Sequence, residues 1–305
     1  MYVPMKIMLD DANQNNYAVP AMNVVSMELA RGVIRAAEDE NAPVILNIGQ
    51  GQMSRHGHAN VMVPMVYELA QNASVPIALN LDHGKDWSFL TLAFRSGFSS
   101  IMIDASQYDL KENIQKTAEV VRMCHPQGVS VEGELGHVGI AAELDDHSSH
   151  LFTKPEDVVY FVEKTGVDAL AVAVGTAHGN YPKGYLPTLR FDLIRTIKKR
   201  CNIPLVLHGG SGSGDENLIR AVDAGINKVN ICTDLWNSAR DFLADTLAAH
   251  PEIELLELLI GYENAVKKKA AHFMRVLKTS GKGSNFNGKF PYPNQSELQY
   301  ASVGE

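Results

Sequence analysis

The chain has 305 residues, 27 Lys and Arg against 35 Asp and Glu, and a formal net charge of -8. That balance offers no broad basic footprint for nucleic acid. With 45% hydrophobic and 20% charged residues it has ordinary globular composition, and no apolar run approaches the roughly 18 residues a membrane helix needs. The first residues, Met1 to Asp10, lack the basic segment, apolar core and small-residue cleavage site of a secretory signal. Cys124, Cys201 and Cys232 are odd in number and far apart, which excludes a disulfide framework or a Cys-x-x-Cys zinc knuckle. A cytoplasmic protein with no membrane or nucleic-acid partner is expected.

Taken in chain order, eight short apolar runs read as buried strands: 17–23, 42–48, 75–81, 99–104, 129–135, 169–174, 203–208 and 228–233. Between them lie 26–39, 59–72, 110–124, 154–165, 191–199 and 215–223, most with apolar residues at spacings of three and four. Alternating strand and helix implies a parallel sheet covered by helices. Eight such units favour an α/β fold of the closed (β/α)8 (TIM) barrel type over an open doubly wound sheet. No Gly-x-Gly-x-x-Gly follows an early strand, which removes a dinucleotide-binding alternative. Helical pattern continues through 235–248, 252–259 and 262–277. Residues 1–280 are therefore expected to form the barrel with extra C-terminal helices, and 281–305, rich in Gly, Asn and Pro, an irregular tail.

In such a barrel the residues that follow each strand share one rim, and the rim carries the chemistry. Here the rim positions are Asn23, 49–52, Asp82 and His83, Asp104, Glu132 and Glu134, His178 and Gly179, 208–212, Asn230, and Thr233 with Asp234. Taken singly each has a bland explanation. A strand-end histidine is usually a hydrogen-bonded structural residue, Asp82 and Asp104 could cap helices, and Glu134 could be half of an ion pair. Together, His83, His178 and His208 occupy equivalent positions on strands three, six and seven, and three neutral imidazoles meeting at a point form a zinc site with an open position. Metal binding and structural histidines both remain open on the residues alone.

The run Gly209-Gly210-Ser211-Gly212 after strand seven, with Asn230 to Thr233 on strand eight, would turn backbone N–H groups toward an anion, and these loops are a frequent phosphate site in barrels. A tight turn without a ligand is the alternative. Lys183, in the Gly-rich segment after His178, would add a point charge. A metal beside a phosphate pocket suggests a phosphorylated carbonyl substrate.

At this point six segments coincide with a known pattern: 81–84 (LDHG), 102–106 (MIDAS), 131–136 (VEGELG), 175–179 (GTAHG), 207–212 (LHGGSG) and 228–234 (KVNICTD), preceded by 17–23 (YAVPAMN). In this order, from about residue 3 to 280, the chain resembles the class II, zinc-dependent ketose-bisphosphate aldolases, of the fructose- and tagatose-bisphosphate type. The resemblance implies an aldehyde-lyase that reversibly cleaves a sugar phosphate to dihydroxyacetone phosphate and an aldehyde. It implies Zn2+ on His83, His178 and His208, with Asp104 and Glu134 orienting ligands or forming an alternative metal position. It implies that Asp82 exchanges the hydroxyl proton at the scissile carbon, and that Asn230 hydrogen-bonds the enediolate oxygens. Asn23, Gly179, Lys183, Gly209, Ser211 and Thr233 match substrate and phosphate contacts, where a monovalent cation (Na+ or K+) often assists. Glu143, in the loop after strand five, matches a glutamate that moves the carbon-bound proton, although Gly139-Ile-Ala-Ala-Glu-Leu-Asp-Asp146 replaces the more usual Gly-Gly-Gln-Glu-Asp-Asp. A homodimer or homotetramer is expected.

The chain departs from the pattern at the second phosphate. Gly49 stands where a serine helps bisphosphate-cleaving relatives, and Trp236 where some have arginine; neither pairs with phosphate as those residues do. Cys232 replaces an Asp, Ala or Asn that touches the sugar chain. A ketose 1-phosphate with an unphosphorylated aldehyde half is therefore a rival substrate to a 1,6-bisphosphate. Arg55, or Lys267 to Lys269, could supply the charge instead. His137 could read the aldehyde half, whereas His56 and His58 are expected on the surface. A metal-dependent isomerase or epimerase, or a non-catalytic sugar-phosphate-binding subunit, are the alternatives to an aldolase.

Overall fold

The computed structural model describes residues 1–139, 152–182 and 184–286. Eight strands, β1 (Val19–Asn23), β2 (Val44–Gly49), β3 (Ile77–Gly84), β4 (Ser100–Ile103), β5 (Ser130–Leu135), β6 (Ala169–Val172), β7 (Leu205–Leu207) and β8 (Ile226–Ile231), pair in sequence order and close into a barrel. Every pairing is parallel, including β8 with β1. Almost every strand residue is buried, because the outer face lies under helices and the inner face fills the lumen.

The helices among the described residues are α1 (Met5–Asn15), α2 (Met27–Asp39), α3 (Gln50–Arg55), α4 (Ala59–Asn72), α5 (Trp87–Ser96), α6 (Leu110–Cys124), α7 (Pro155–Thr165), α8 (Phe191–Arg200), α9 (Asp215–Ala224), α10 (Thr233–Ala249) and α11 (Leu255–Val276). Local chemistry sets several starts. The Ser26 hydroxyl accepts from Leu29 N at the head of α2, the Asp109 carboxylate accepts from Glu112 N at α6, and Pro155 opens α7.

Side chains alternate along each strand, so every second residue enters the lumen. The lower lumen is apolar: Val19, Ala21, Ile45, Ala78, Met102, Ala169, Ala171 and Val206 form one buried cluster with Met5, Met8, Leu9 and Ala12 of α1. Helix α1 thus closes the bottom of the barrel. One step upward the inward positions become polar, with Asn23, Asn47, Asn80, Asp82, Glu132, Glu134, His208, Lys228 and Asn230 all buried. The fold concentrates its desolvated polar groups at the end where the strands terminate, and that is where a site must be.

Three features differ from the sequence expectation. Helices α1, α3 and α5 were not anticipated. The stretch 252–277, expected as two helices, is the single helix α11, which continues through Gly261 because that residue lies against the ring of Phe242 on α10, 2.2 Å from where a Cβ would stand. Finally, the expected irregular tail begins with a 3-10 turn, Lys282–Phe286, whose Phe286 is 2% exposed and joins the apolar cluster under the barrel; residues 287–305 lie outside the described residues. Phe286→Ala is expected to lower unfolding free energy by about 3–5 kcal/mol, the usual result of emptying a buried aromatic site. Urea denaturation followed by far-UV circular dichroism measures it, and a change below about 1 kcal/mol would place the ring outside the core.

Candidate active site and metal centre

Strand β3 ends in Asp82-His83, and in a regular strand these neighbours would point to opposite faces. Here the register with β4 shifts between Leu81 and Gly84, and His83 adopts φ +48°. A bulge with a left-handed residue re-aims a side chain, at a local strain of about 1–3 kcal/mol for a non-glycine. The result is that both side chains face the same space above the lumen.

That space is a cavity of about 210 Å³ whose walls include Asn23, Gln52, Asp82, His83, His178, Gly179, Gly209, Ser211, Asn230, Cys232 and Thr233. His208, fully buried, reaches it from below. Three ring nitrogens converge: His83 Nε2 lies 3.1 Å from His178 Nε2 and 2.9 Å from His208 Nδ1, and the last two are 3.4 Å apart. A tetrahedral zinc with Zn–N bonds near 2.0–2.1 Å sets its ligand nitrogens about 3.3 Å apart, so the triangle fits that ion.

The opposite ring nitrogens are equally placed. His83 Nδ1 donates to Asp104 Oδ2 at 2.9 Å, and His208 Nε2 donates to Glu132 Oε1 at 2.9 Å. Each carboxylate fixes the tautomer that leaves a lone pair facing the other imidazoles, as metal ligands require. Beneath them Lys228 Nζ donates to Glu132 Oε2 at 2.6 Å, both side chains fully buried. A second group, His83, Asp104 and Glu134, has ligand atoms close enough to hold an ion, and Glu134 Oε2 is buried without a hydrogen-bond partner among the described residues.

Electrostatics follow this arrangement. Burial alone would raise the pKa of Asp82, but the facing His83, His208 and Lys228 bring it below the ordinary carboxylate value. Its oxygens accept from Asn23 Nδ2 at 2.9 Å and Asn230 Nδ2 at 3.0 Å, so it is held ionised and in one orientation. Burial would lower His83; the carboxylates of Asp82, Asp104 and Glu134 outweigh it and push the ring up to about 9. His178, by contrast, is depressed to about 3 by burial and by the two other imidazoles. Burial and Asp104 raise Glu134, while Lys228 and His208 overcome burial and lower Glu132.

The other end of the cavity meets the positive end of a helix. Helix α10 starts at Thr233 and directs its positive end there. Ser211 Oγ accepts from Cys232 N and Asp234 N, each at 3.2 Å, tying the β7 loop to the head of the helix. Gly209 has φ +67°, and a Cβ on it would lie 2.4 Å from the carbonyl oxygen of Ala177; only glycine allows the backbone to turn here.

The family model described as fructose-bisphosphate aldolase class-II matches residues 3–282. The chain belongs to the class II fructose-bisphosphate aldolase family. It is 36% identical to the uncharacterized protein YdjI of Escherichia coli (strain K12) over 274 residues, 90% of this chain and 96% of that one. It is also 36% identical to a fructose-bisphosphate aldolase of Geobacillus stearothermophilus over 285 residues, 92% of this chain and 99% of the relative. The crystal structure of the YdjI aldolase superposes with a TM-score of 0.82 at 34% identity, covering 93% of this chain and all of the other (100%).

Of the residues the sequence singled out, Asn23, Asp82, His83, His178, Gly179, Gly209, Ser211, Asn230 and Thr233 line the cavity. His208 completes the nitrogen triangle, and Asp104 and Glu134 stand behind His83. Glu143 and Lys183 lie outside the described residues. Trp236 has another task than arginine would: its Nε1 donates to the backbone oxygen of Asn23 at 2.8 Å. Lys267 pairs with Asp39 at 2.5 Å, and His56, His58 and His137 are exposed. His137 nevertheless contacts Ser106 Oγ at 3.1 Å, one hydrogen bond from Asp104.

Sequence reading passed over three participants. Gln52 and Glu132 drew notice only as rim positions, and Lys228 only as the start of a strand. Lys228 carried a signal: a lysine within an apolar, two-faced strand must find an opposite charge inside the barrel. Among the described residues no helix is long and apolar enough to cross a membrane.

Proposed function

We propose that the chain is a zinc-dependent aldolase that reversibly cleaves a ketose 1-phosphate or ketose 1,6-bisphosphate to dihydroxyacetone phosphate and an aldehyde. One observation carries this reading: Asp82, held by two side-chain amides, lies in the same cavity as three convergent imidazole nitrogens and the positive end of α10. The phosphate is received by the backbone around Gly179 and Gly209, by Ser211 and Thr233, and by Lys183. Bound zinc supplies Lewis-acid polarisation of the substrate carbonyl and offsets negative charge developing beside it.

In cleavage, Asp82 takes the proton from the hydroxyl on the scissile carbon. That oxygen becomes the carbonyl of the departing aldehyde, and the electron pair of the broken carbon–carbon bond passes to the phosphate-bearing fragment. Asn23 and Asn230 hold Asp82 in place, and Asn230 also offers its amide to the oxygens of that fragment. Glu143 delivers the proton that the fragment's carbon then takes up. In condensation every transfer runs in reverse.

Purified zinc-loaded protein given dihydroxyacetone phosphate and a panel of phosphorylated and unphosphorylated aldehydes is expected to form new ketose phosphates, detectable by mass spectrometry. A chelator is expected to abolish this. No adduct from any aldehyde would overturn the aldolase reading, and chelator-insensitive turnover would overturn the zinc mechanism.

A further inference from the structure

Two carboxylates stand behind His83. Its Nδ1 is 2.9 Å from Asp104 Oδ2 and 4.0 Å from Glu134 Oε2, an oxygen buried without a hydrogen-bond partner among the described residues. An imidazole that turned to satisfy Glu134 would carry its Nε2 away from the point where His178 and His208 meet it. Whatever keeps the ring on Asp104 therefore bears on the metal, and Asp104 is itself held from outside the site.

Asp104 Oδ1 accepts from the Ser106 hydroxyl at 2.7 Å and from the Ser106 backbone N–H at 3.3 Å. A carboxylate offers only acceptors and a serine hydroxyl has a single proton, so that proton is committed to Asp104. Toward His137, whose Nδ1 lies 3.1 Å away, the same hydroxyl can only accept. The hydrogen bonds therefore form a chain: His137 Nδ1 donates to Ser106, Ser106 donates to one oxygen of Asp104, and His83 donates to the other.

We propose that Ser106 and His137 are positioning residues of the metal centre, donating in series to lock Asp104 in the orientation that aims the His83 nitrogen at the metal. The proposal rests on the zinc reading of the three imidazoles. It gives His137 a task other than reading the aldehyde half, because the ring acts on the metal through Asp104 whether or not a substrate is bound.

The surroundings explain why Asp104 needs a lock. Lys85 Nζ lies 3.5 Å from Asp104 Oδ2, the oxygen that His83 uses, so an exposed cation competes for it. Anchoring Oδ1 through Ser106 stops the carboxylate from swinging toward that cation. Ser106 in turn lies on the wall of a separate cavity of about 200 Å³, shared with Tyr108, Asn113, Leu135 and Gly136. Water there can compete for the hydroxyl, and a donor from His137 ties it down while strengthening the bond it makes onward. The backbone carrying His137 is braced for this: Asn113 Nδ2 donates to the Glu134 carbonyl at 2.9 Å, and Val138 N donates to Glu134 Oε1 at 3.4 Å. An exposed histidine is thus fixed across the loops that follow β4 and β5.

The test measures zinc affinity of the substrate-free protein by competition with a chromogenic chelator. Ser106→Ala is expected to weaken zinc by about tenfold or more, and His137→Ala by about threefold or more. Ser106→Thr, which keeps the hydroxyl, and His137→Asn, whose amide nitrogen can stand where Nδ1 does, are expected to recover most of each loss. In a Ser106→Ala background His137→Ala should cost nothing further, since the link is already cut. The visible absorption of the Co2+-substituted protein should shift in Ser106→Ala and return in Ser106→Thr. Native affinity in His137→Ala, additive losses in the double variant, or losses that the conservative variants do not recover would overturn the proposal. Zinc affinity unchanged by His83→Ala would instead overturn the three-imidazole site beneath it, so the two failures are distinct.

Discussion

Asp82→Ala is expected to lower kcat by about 10²–10⁴-fold with zinc still bound, whereas His83→Ala is expected to lose the metal itself. The adjacent residues separate because the bulge in β3 gives them different partners. Asp82 is held by two side-chain amides, Asn23 and Asn230, and its nearest approach to His83 Nε2 is 4.0 Å, too far for a shared hydrogen bond. Removing it deletes the proton acceptor and leaves the nitrogen triangle standing. Removing His83 deletes one corner of that triangle and also frees Asp104 from its 2.9 Å bond. Metal content after dialysis, measured by mass spectrometry, and kcat measured with excess zinc distinguish the two. Equal loss of metal in both variants would sink this division of labour.

How much of this was legible in the sequence depended on whether the information was local. The barrel was legible because the eight buried strands and most of the helices between them carry their own local pattern. Helices α4 and α6 fall on the expected bounds, 59–72 and 110–124. Helix α1 also carried a pattern, Met5, Met8, Leu9 and Ala12 at spacings of three and four. Its role as the floor of the barrel was not local, since the apolar surface it covers comes from strands scattered over the chain. Helix α5 hid for the opposite reason: Trp-Ser-Phe-Leu-Thr-Leu-Ala-Phe carries apolar residues on its exposed side too, Trp87 and Leu92, which blurs the face marked by buried Leu90 and Ala93.

The same distinction governs the site. Histidines at strand ends are visible one strand at a time, so His83, His178 and His208 could be gathered by topology alone. The hydrogen bonds behind His208 cross the lumen, from the end of β7 to Glu132 on β5 and from Glu132 to Lys228 on β8. No spacing in the sequence reports that Glu132 faces Lys228. Trp236 shows the limit from another side: aligned position suggested a missing phosphate contact, but only the fold shows the indole bracing Asn23, which in turn holds Asp82.

Lys228→Met should be the most destabilising single change at the site, costing about 3–5 kcal/mol. Lys228 and Glu132 are both fully buried, so deleting the ammonium leaves a carboxylate in the lumen with only the His208 ring as partner. In the native chain Glu132 titrates below its ordinary value of 4.5, and the pair's stabilisation is present above that value and lost as pH falls through the lowered one. In the variant the sign reverses. Burial without Lys228 favours protonated Glu132, so its folded pKa rises, and stability is lost as pH rises through it. The deficit relative to the native chain is therefore expected to be larger at neutral pH than in mild acid, as read by urea titrations across that range. A deficit independent of pH would mean that Lys228 acts through packing alone. Adding Glu132→Gln should restore much of the stability, because no charge is then left unpaired. It should not restore the metal site: a neutral amide facing His208 Nε2 makes the ring a weaker ligand than a carboxylate does, and zinc affinity is expected to stay about 10–100-fold below native. Recovery of stability without recovery of zinc affinity would show that this pair, buried under the cavity and touching no substrate, works by holding one imidazole in its metal-binding form.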